Sequence, residues 1–140
     1  MKKIKVKFKK ISFYGQSPYR KHSGDAAYDL FAAENVFLLP GDTRKVATGI
    51  VIDIPEGYYA ELHTRSSQGV QGIRCHLGII DQDYHGEVFP IITTPIEYTI
   101  KIGERIAQLI FKERVEVDFI ETIEEFESSR GTDGFGSTGK

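Results

Sequence analysis

The chain has no tryptophan, one methionine and one cysteine among its 140 residues. A single thiol, Cys75, excludes an internal disulfide, and the lack of a CxxC pair or a Cys/His cluster argues against a structural zinc site. A reduced compartment suits such a composition. Long apolar runs are also missing: nothing approaches the ~20 residues of a membrane-crossing helix, and the N-terminal residues carry lysines rather than the apolar core of a signal peptide. Charge of one sign does not dominate, since 18 Lys and Arg stand against 20 Asp and Glu for a formal net charge of -2. That balance advertises neither nucleic acid nor an acidic tail. These absences lead to the expectation of a soluble cytoplasmic protein with neither nucleic acid nor membrane as partner. The length suits one domain with a real core.

A helical period is the next thing lacking, because no amphipathic stretch runs for more than a few turns. What recurs is alternation. Residues 3–9 read Lys-Ile-Lys-Val-Lys-Phe-Lys, the period of a strand with one wet face. Its lysine row is either a solvated face that discourages edge pairing or a phosphate patch. Residues 14–25 form a loop. Further strand-like runs follow at 46–55, 58–64, 88–94 (edge or bulged because of Pro90), 98–102, 105–111 and 115–123, with Gly and Pro turns between them. Many short strands at regular spacing predict an all-β subunit, a sandwich, barrel or jelly roll, with at most one short helix.

Four places carry chemistry. Asp29 interrupts the apolar run 26–33 and must be paired, hydrated or near a cation there. Arg65, Ser66 and Ser67 enter a loop or helical turn, where hydroxyls cap a helix or grip phosphate. Asp81, Gln82, Asp83 and Tyr84 follow the apolar run Leu77–Ile80, either as a plain hairpin turn or as a base and a ring at a pocket edge. The tail from Ser128 changes character: Arg130, Phe135 and the run Gly136-Ser137-Thr138-Gly139 suit either a frayed end or a phosphate-binding flap.

In order along the chain, these stretches resemble the five motifs of the homotrimeric dUTPase family, the deoxyuridine 5'-triphosphate nucleotidohydrolases. They are Ala26-Ala27-Tyr28-Asp29-Leu30, Arg65-Ser66-Ser67, Gly78 to Gly86, Gly103-Glu104-Arg105-Ile106-Ala107-Gln108-Leu109, and Arg130 to Gly139. The resemblance implies a distorted jelly-roll β-barrel over residues 1–127 and a flexible glycine-rich arm, 128–140, closing an active site of a neighbouring subunit. It implies hydrolysis of dUTP to dUMP and pyrophosphate, which keeps uracil out of DNA and supplies dUMP for dTMP synthesis. Asp81 would be the base that deprotonates the water attacking the α-phosphorus. Tyr84 would lie under the deoxyribose, leaving no room for a 2'-hydroxyl. Backbone groups from Cys75 through Gly78, Ile79 and Ile80 would read uracil.

Arg65, Ser66, Ser67 and Gln108 would hold phosphates, joined by Arg130, Gly136, Ser137 and Thr138, while Phe135 stacks on the base. Mg²⁺ would be carried mainly by the phosphates, with Asp29 an outer-shell partner through water. Asp83 and Arg105 would support the Asp81 loop by a charged hydrogen bond. Departures from the family pattern are Thr64 where Pro is common, Gln68 to Gly72 where an apolar residue and Lys are usual, Cys75 where Asn is expected, and a short segment from Arg65 to Asp81. A dCTP deaminase of the same scaffold is one alternative, although 88–94 contains no acid. A nucleotide-sensing regulatory trimer is another.

Overall fold

Alternation decides which side of each strand is buried. In the computed structural model, which describes residues 1–136, it produces eleven strands and one short helix. In chain order these are β1 (Lys7–Lys10), β2 (Tyr28–Phe31), β3 (Val36–Leu38), β4 (Thr43–Lys45), β5 (Ile50–Asp53), β6 (Tyr58–His63), α1 (Ser66–Gly69), β7 (Arg74–Cys75), β8 (Gly78–Ile80), β9 (Ile91–Thr93), β10 (Tyr98–Ile100) and β11 (Arg105–Glu113). Every ladder is antiparallel.

The spine is β11, whose length lets it pair β2 on one side and β6 on the other; β8 extends the sheet to the order β2-β11-β6-β8. The remaining strands form β4-β9-β7, β1-β5 and β10-β3. Leu38, Ile52, Ile92, Ile100 and Leu109, one from each of five strands, meet in a single core and are at most 2% exposed. The all-β subunit expected from the strand pattern, with the distorted jelly-roll implied by the resemblance, is thus what forms.

Two strands differ from expectation. The predicted strand over 3–9 is confined to Lys7–Lys10, whose four residues are all exposed; Ile4 and Val6, its apolar partners, are only half-buried. The alternating run 115–123 is not a strand in this chain. After Arg114, whose N–H donates to Gly57 O at 2.8 Å, residues 115–133 leave the barrel fully exposed, with Phe119 at 97% and Ile123 at 101%. Exposure of the chain therefore begins upstream of the boundary expected at 128. Alternation marks a strand only where a partner edge is met, and among the described residues this segment joins no ladder.

Candidate active site

One rung of the main sheet assembles the first half of the site. Asp29 on β2 lies opposite Gln108 on β11, which lies opposite His63 on β6. Because Leu30, Leu109 and Leu62 turn inward, their neighbours Asp29, Gln108 and His63 point to the outer face. Just past His63 the chain reaches Arg65, and on β11 a register shift between Arg105 and Ala107 brings Arg105 beside β2. Asp29 Oδ1 is 3.5 Å from Arg65 Nε, its Oδ2 is 3.6 Å from Arg105 Nε, and Arg65 Nη1 donates to Arg105 O at 3.3 Å.

Asp29 answers its own sequence puzzle: a half-buried carboxylate is held between two guanidiniums. Two cations on one anion leave this end of the face net positive, which suits phosphate. Ser66 and Ser67 sit exposed at the start of α1, with neither hydroxyl engaged among the described residues.

Arg105 was expected beside Asp83. Within one chain it pairs with Asp29 instead, and no Asp83–Arg105 ion pair occurs among the described residues. Asp29 in turn was expected to face a hydrated metal, yet each of its oxygens is turned to an arginine. Among the described residues no group of three or more His, Cys, Asp or Glu is arranged to hold a metal ion.

The second half grows from β8. This strand pairs β6 through Ala60↔Ile80 and Leu62↔Gly78 and is the edge of its sheet, so its outer main-chain N–H and C=O groups have no ladder partner among the described residues. A Cβ at Gly78 would stand 3.2 Å from Leu62 Cδ1, so glycine lets β8 lie close to β6. Asp81, exposed, follows directly. Tyr84 N–H closes the turn onto Asp81 O at 3.1 Å, and Tyr84 Oη donates to Glu87 O at 2.8 Å. The ring then lies over Gly86, where any Cβ would be 2.5 Å from Tyr84 Oη and 2.7 Å from Cζ. Gly86 is what permits the tyrosine to lie down.

Gly78, Ile79, Ile80, Asp81, Tyr84 and Phe89 help line a cleft of about 250 Å³. A larger cleft, about 440 Å³, lies beside the same turn between β1 and β5 and includes His85. The smaller one is the better candidate because it joins a carboxylate, an aromatic ring and an unpaired strand edge.

Cys75 does not join that edge. Its N–H donates to Thr64 Oγ1 at 2.9 Å, and the same hydroxyl donates to Cys75 O at 3.0 Å. The N–H is thereby taken and the C=O already accepts one bond, so Cys75 offers no free N–H to a base. Burial pushes its thiol up to about 11, which rules out a nucleophile at neutral pH. Thr64, where the family pattern favours Pro, provides this bridge between β6 and β7. Gln68 is likewise a local solution: buried, it donates from Nε2 to Tyr98 Oη at 3.2 Å.

The two halves do not meet in one chain. Asp81 lies four positions along the sheet and two strands across from Gln108. At ~3.4 Å per residue and ~4.8 Å per strand that is roughly 17 Å. Within the described residues Arg130 bonds locally, to Asp133 O, and Phe135 is fully exposed at φ 49°. Gly136 follows it, while Ser137 and Thr138 lie outside the described residues.

The dUTPase family model matches residues 14–139. The chain belongs to the dUTPase family. The deoxyuridine 5'-triphosphate nucleotidohydrolase of Corynebacterium diphtheriae is 44% identical over 130 residues, 87% of this chain and 84% of that protein. The enzyme of the same name from Paramecium bursaria Chlorella virus 1 is 40% identical over 94% of this chain and 95% of its own. Among solved structures, the Staphylococcus bacteriophage 80alpha dUTPase with dUPNHPP superposes at a TM-score of 0.85, with 31% identity over 97% of this chain and 99% of that one.

The dUTPase motifs account for Asp29, Arg65, Gln108, Asp81 and Tyr84. They gave no role to His85, whose Nε2 lies 2.9 Å from Asp53 Oδ1, or to Gln82, whose Oε1 accepts from Gly57 N–H at 3.1 Å. Both sit inside the third motif, but their partners come from β5 and the β5–β6 turn, which no local pattern could point to.

Proposed function

We propose that this chain hydrolyses dUTP to dUMP and pyrophosphate, the activity for which its curated relatives are named. The observation that carries it is the Asp81–Tyr84 turn on the unpaired edge of β8, facing a cleft of about 250 Å³. Asp81 takes a proton from water as that water attacks the α-phosphorus; the bond to the bridging oxygen breaks and pyrophosphate leaves. The role asks for an ionised carboxylate within hydrogen-bond reach of that water. The flat Tyr84 ring sets the floor under the sugar and selects against a 2'-hydroxyl. The outer main-chain groups of Gly78, Ile79 and Ile80 read the uracil edge.

The phosphates belong to Arg65, Ser66, Ser67 and Gln108, but of another subunit, because roughly 17 Å is too far for one triphosphate to bridge at the reacting phosphorus. A closed three-fold ring provides the second copy. In the same proposal residues 128–140 form the mobile part of the arm, bringing Arg130, Phe135, Gly136, Ser137 and Thr138 to a neighbour's site. Mg²⁺ is the cofactor; a relative from phage phi11 of S. aureus is described with a structural Mg(II) ion. The residues here fit a cation carried by the triphosphate, since no three-ligand cluster exists among the described residues. Bound there, it neutralises phosphate charge. In the same proposal the protein works on the DNA-precursor pool in the cytoplasm.

Incubation with dUTP, dCTP and UTP plus Mg²⁺, assayed for pyrophosphate and ammonia, tests this. Pyrophosphate from dUTP alone is expected. None from dUTP overturns the reading, and ammonia from dCTP favours the deaminase. A regulatory use of the same nucleotide site is the second reading, since phage dUTPases of this fold are described as controlling transfer of virulence genes.

A further inference from the structure

The turn that presents Asp81 has no core of its own. Ile80 before it is 6% exposed and Val88 after it 1%, but Asp81, Asp83, Tyr84 and His85 are all exposed. Its position therefore rests on polar tethers. Three of them end on backbone: Gln82 Oε1 accepts from Gly57 N–H at 3.1 Å, Tyr84 Oη donates to Glu87 O at 2.8 Å, and Glu87 Oε2 accepts from Gly49 N–H at 3.1 Å. The fourth joins two side chains, His85 Nε2 and Asp53 Oδ1, at 2.9 Å. Asp53 ends β5 and is held in register opposite Lys7 of β1. The fourth tether thus hooks the far end of the turn to a separate ladder.

We propose that His85 is a positioning residue for the reaction: through Asp53 it sets where the turn holds the Asp81 carboxylate. The inference rests on Asp81 being the base. The pair is exposed, 58% and 59% for the two side chains, and such pairs add little to global stability. Its effect is therefore local. The charged groups around His85 are Asp53 on β5, Lys7 and Lys9 on β1 across the larger cleft, and Asp81, Asp83 and Glu87 on its own segment. Of these, Asp53 is the hydrogen-bonded partner. Nε2–H donates to its carboxylate with the ring neutral or charged, so the clasp needs a donor at 85 rather than a charge. Losing it lets the turn swing while Tyr84 still lies on Gly86. A base displaced by an ångström or less lowers the rate without loosening the substrate.

Steady-state kinetics on the Mg²⁺-loaded full-length protein decide the question. His85→Ala is expected to lower kcat about tenfold while KM for dUTP stays within about twofold. His85→Gln, which keeps a donor, should recover most of the rate, and Asp53→Ala should copy His85→Ala without adding to it in the double variant. Hydrogen exchange should quicken at the amides of 81–87 in His85→Ala and stay unchanged in the core strands. Wild-type kcat in His85→Ala overturns the proposal, as does failure of His85→Gln to recover, or faster exchange throughout the barrel. If the wild-type protein releases no pyrophosphate from dUTP, the proposed function fails instead. The exchange measurement then still judges the clasp, and unchanged protection at 81–87 rejects it.

Discussion

Asp81 stands exposed one residue beyond the edge strand β8, next to a tyrosine that a glycine allows to lie flat. Nothing in that geometry requires the carboxylate for folding. Asp81→Asn should therefore keep its thermal stability and its affinity for a non-hydrolysable dUTP analogue, and lose about 10²- to 10⁴-fold in kcat; undiminished turnover would remove Asp81 as base. Cys75 is the opposite case, a group with reactivity removed by its surroundings. Its thiol is raised from 9.0 to about 11 by burial, so native protein at pH 7.5 should resist a thiol reagent that labels it completely in denaturant. The Cys75 backbone was expected among the groups that read the base; the bridge from Thr64 that engages that backbone is not visible in local pattern.

At the scale of the element, β6 shows what alternation alone conveys. Ala60 and Leu62 turn to the core, and Tyr59, Glu61 and His63 turn out, as the period of two requires. Yet Glu61 is covered. His63 Nε2 lies 2.8 Å from Oε1, Lys112 Nζ 3.3 Å from it, and Tyr59 Oη donates to Oε2 at 3.1 Å. The hydrogen bond from His63, helped by Lys112 and Tyr59 against the cost of burial, holds the carboxyl below its usual range. A carboxyl whose pKa is depressed on folding stabilises the protein above its unfolded value of ~4.3 and loses that contribution as pH falls through the folded value. The melting temperature of Glu61→Gln should thus lie below wild type at pH 7, and the gap should close on acidification below about pH 4. A gap that persists at pH 3 would mean the network stabilises by packing rather than charge.

For the whole molecule the informative fact is separation. Arg65, Arg105, Asp29 and Gln108 form one cluster, Asp81 and Tyr84 another, both on the face of one sheet and roughly 17 Å apart. Two inactive variants, Asp81→Asn and Gln108→Ala, when unfolded and refolded together, should regain part of the wild-type rate. Mixed assemblies would contain sites with an intact Asp81 from one chain and an intact Gln108 from another. No recovery would mean each site is built within one chain. The arm offers a second test at this scale. Ending the chain before Arg130 should leave a folded assembly of unchanged size and a large loss of dUTP turnover, measured beside light scattering. Normal turnover would show the tail to be an ordinary terminus.

Strand content, the absence of long helices, the turn chemistry and the order of five motifs were all set by local pattern, because side-chain period, Gly and Pro placement and motif spacing are properties of short stretches. Sequence also required Asp29 to be paired, hydrated or near a cation, since a carboxylate within an apolar run is costly to bury alone. Which cations, Arg65 and Arg105, was decided by the order of strands in the sheet and by the irregular register at the start of β11. The same holds for His85 with Asp53 and for Glu61 with Lys112, partners on strands far apart in sequence. The last case is 115–123, which has the alternation of a strand and joins no ladder among the described residues. Local pattern determines that a segment prefers to be extended; only the tertiary structure determines whether an edge is within reach.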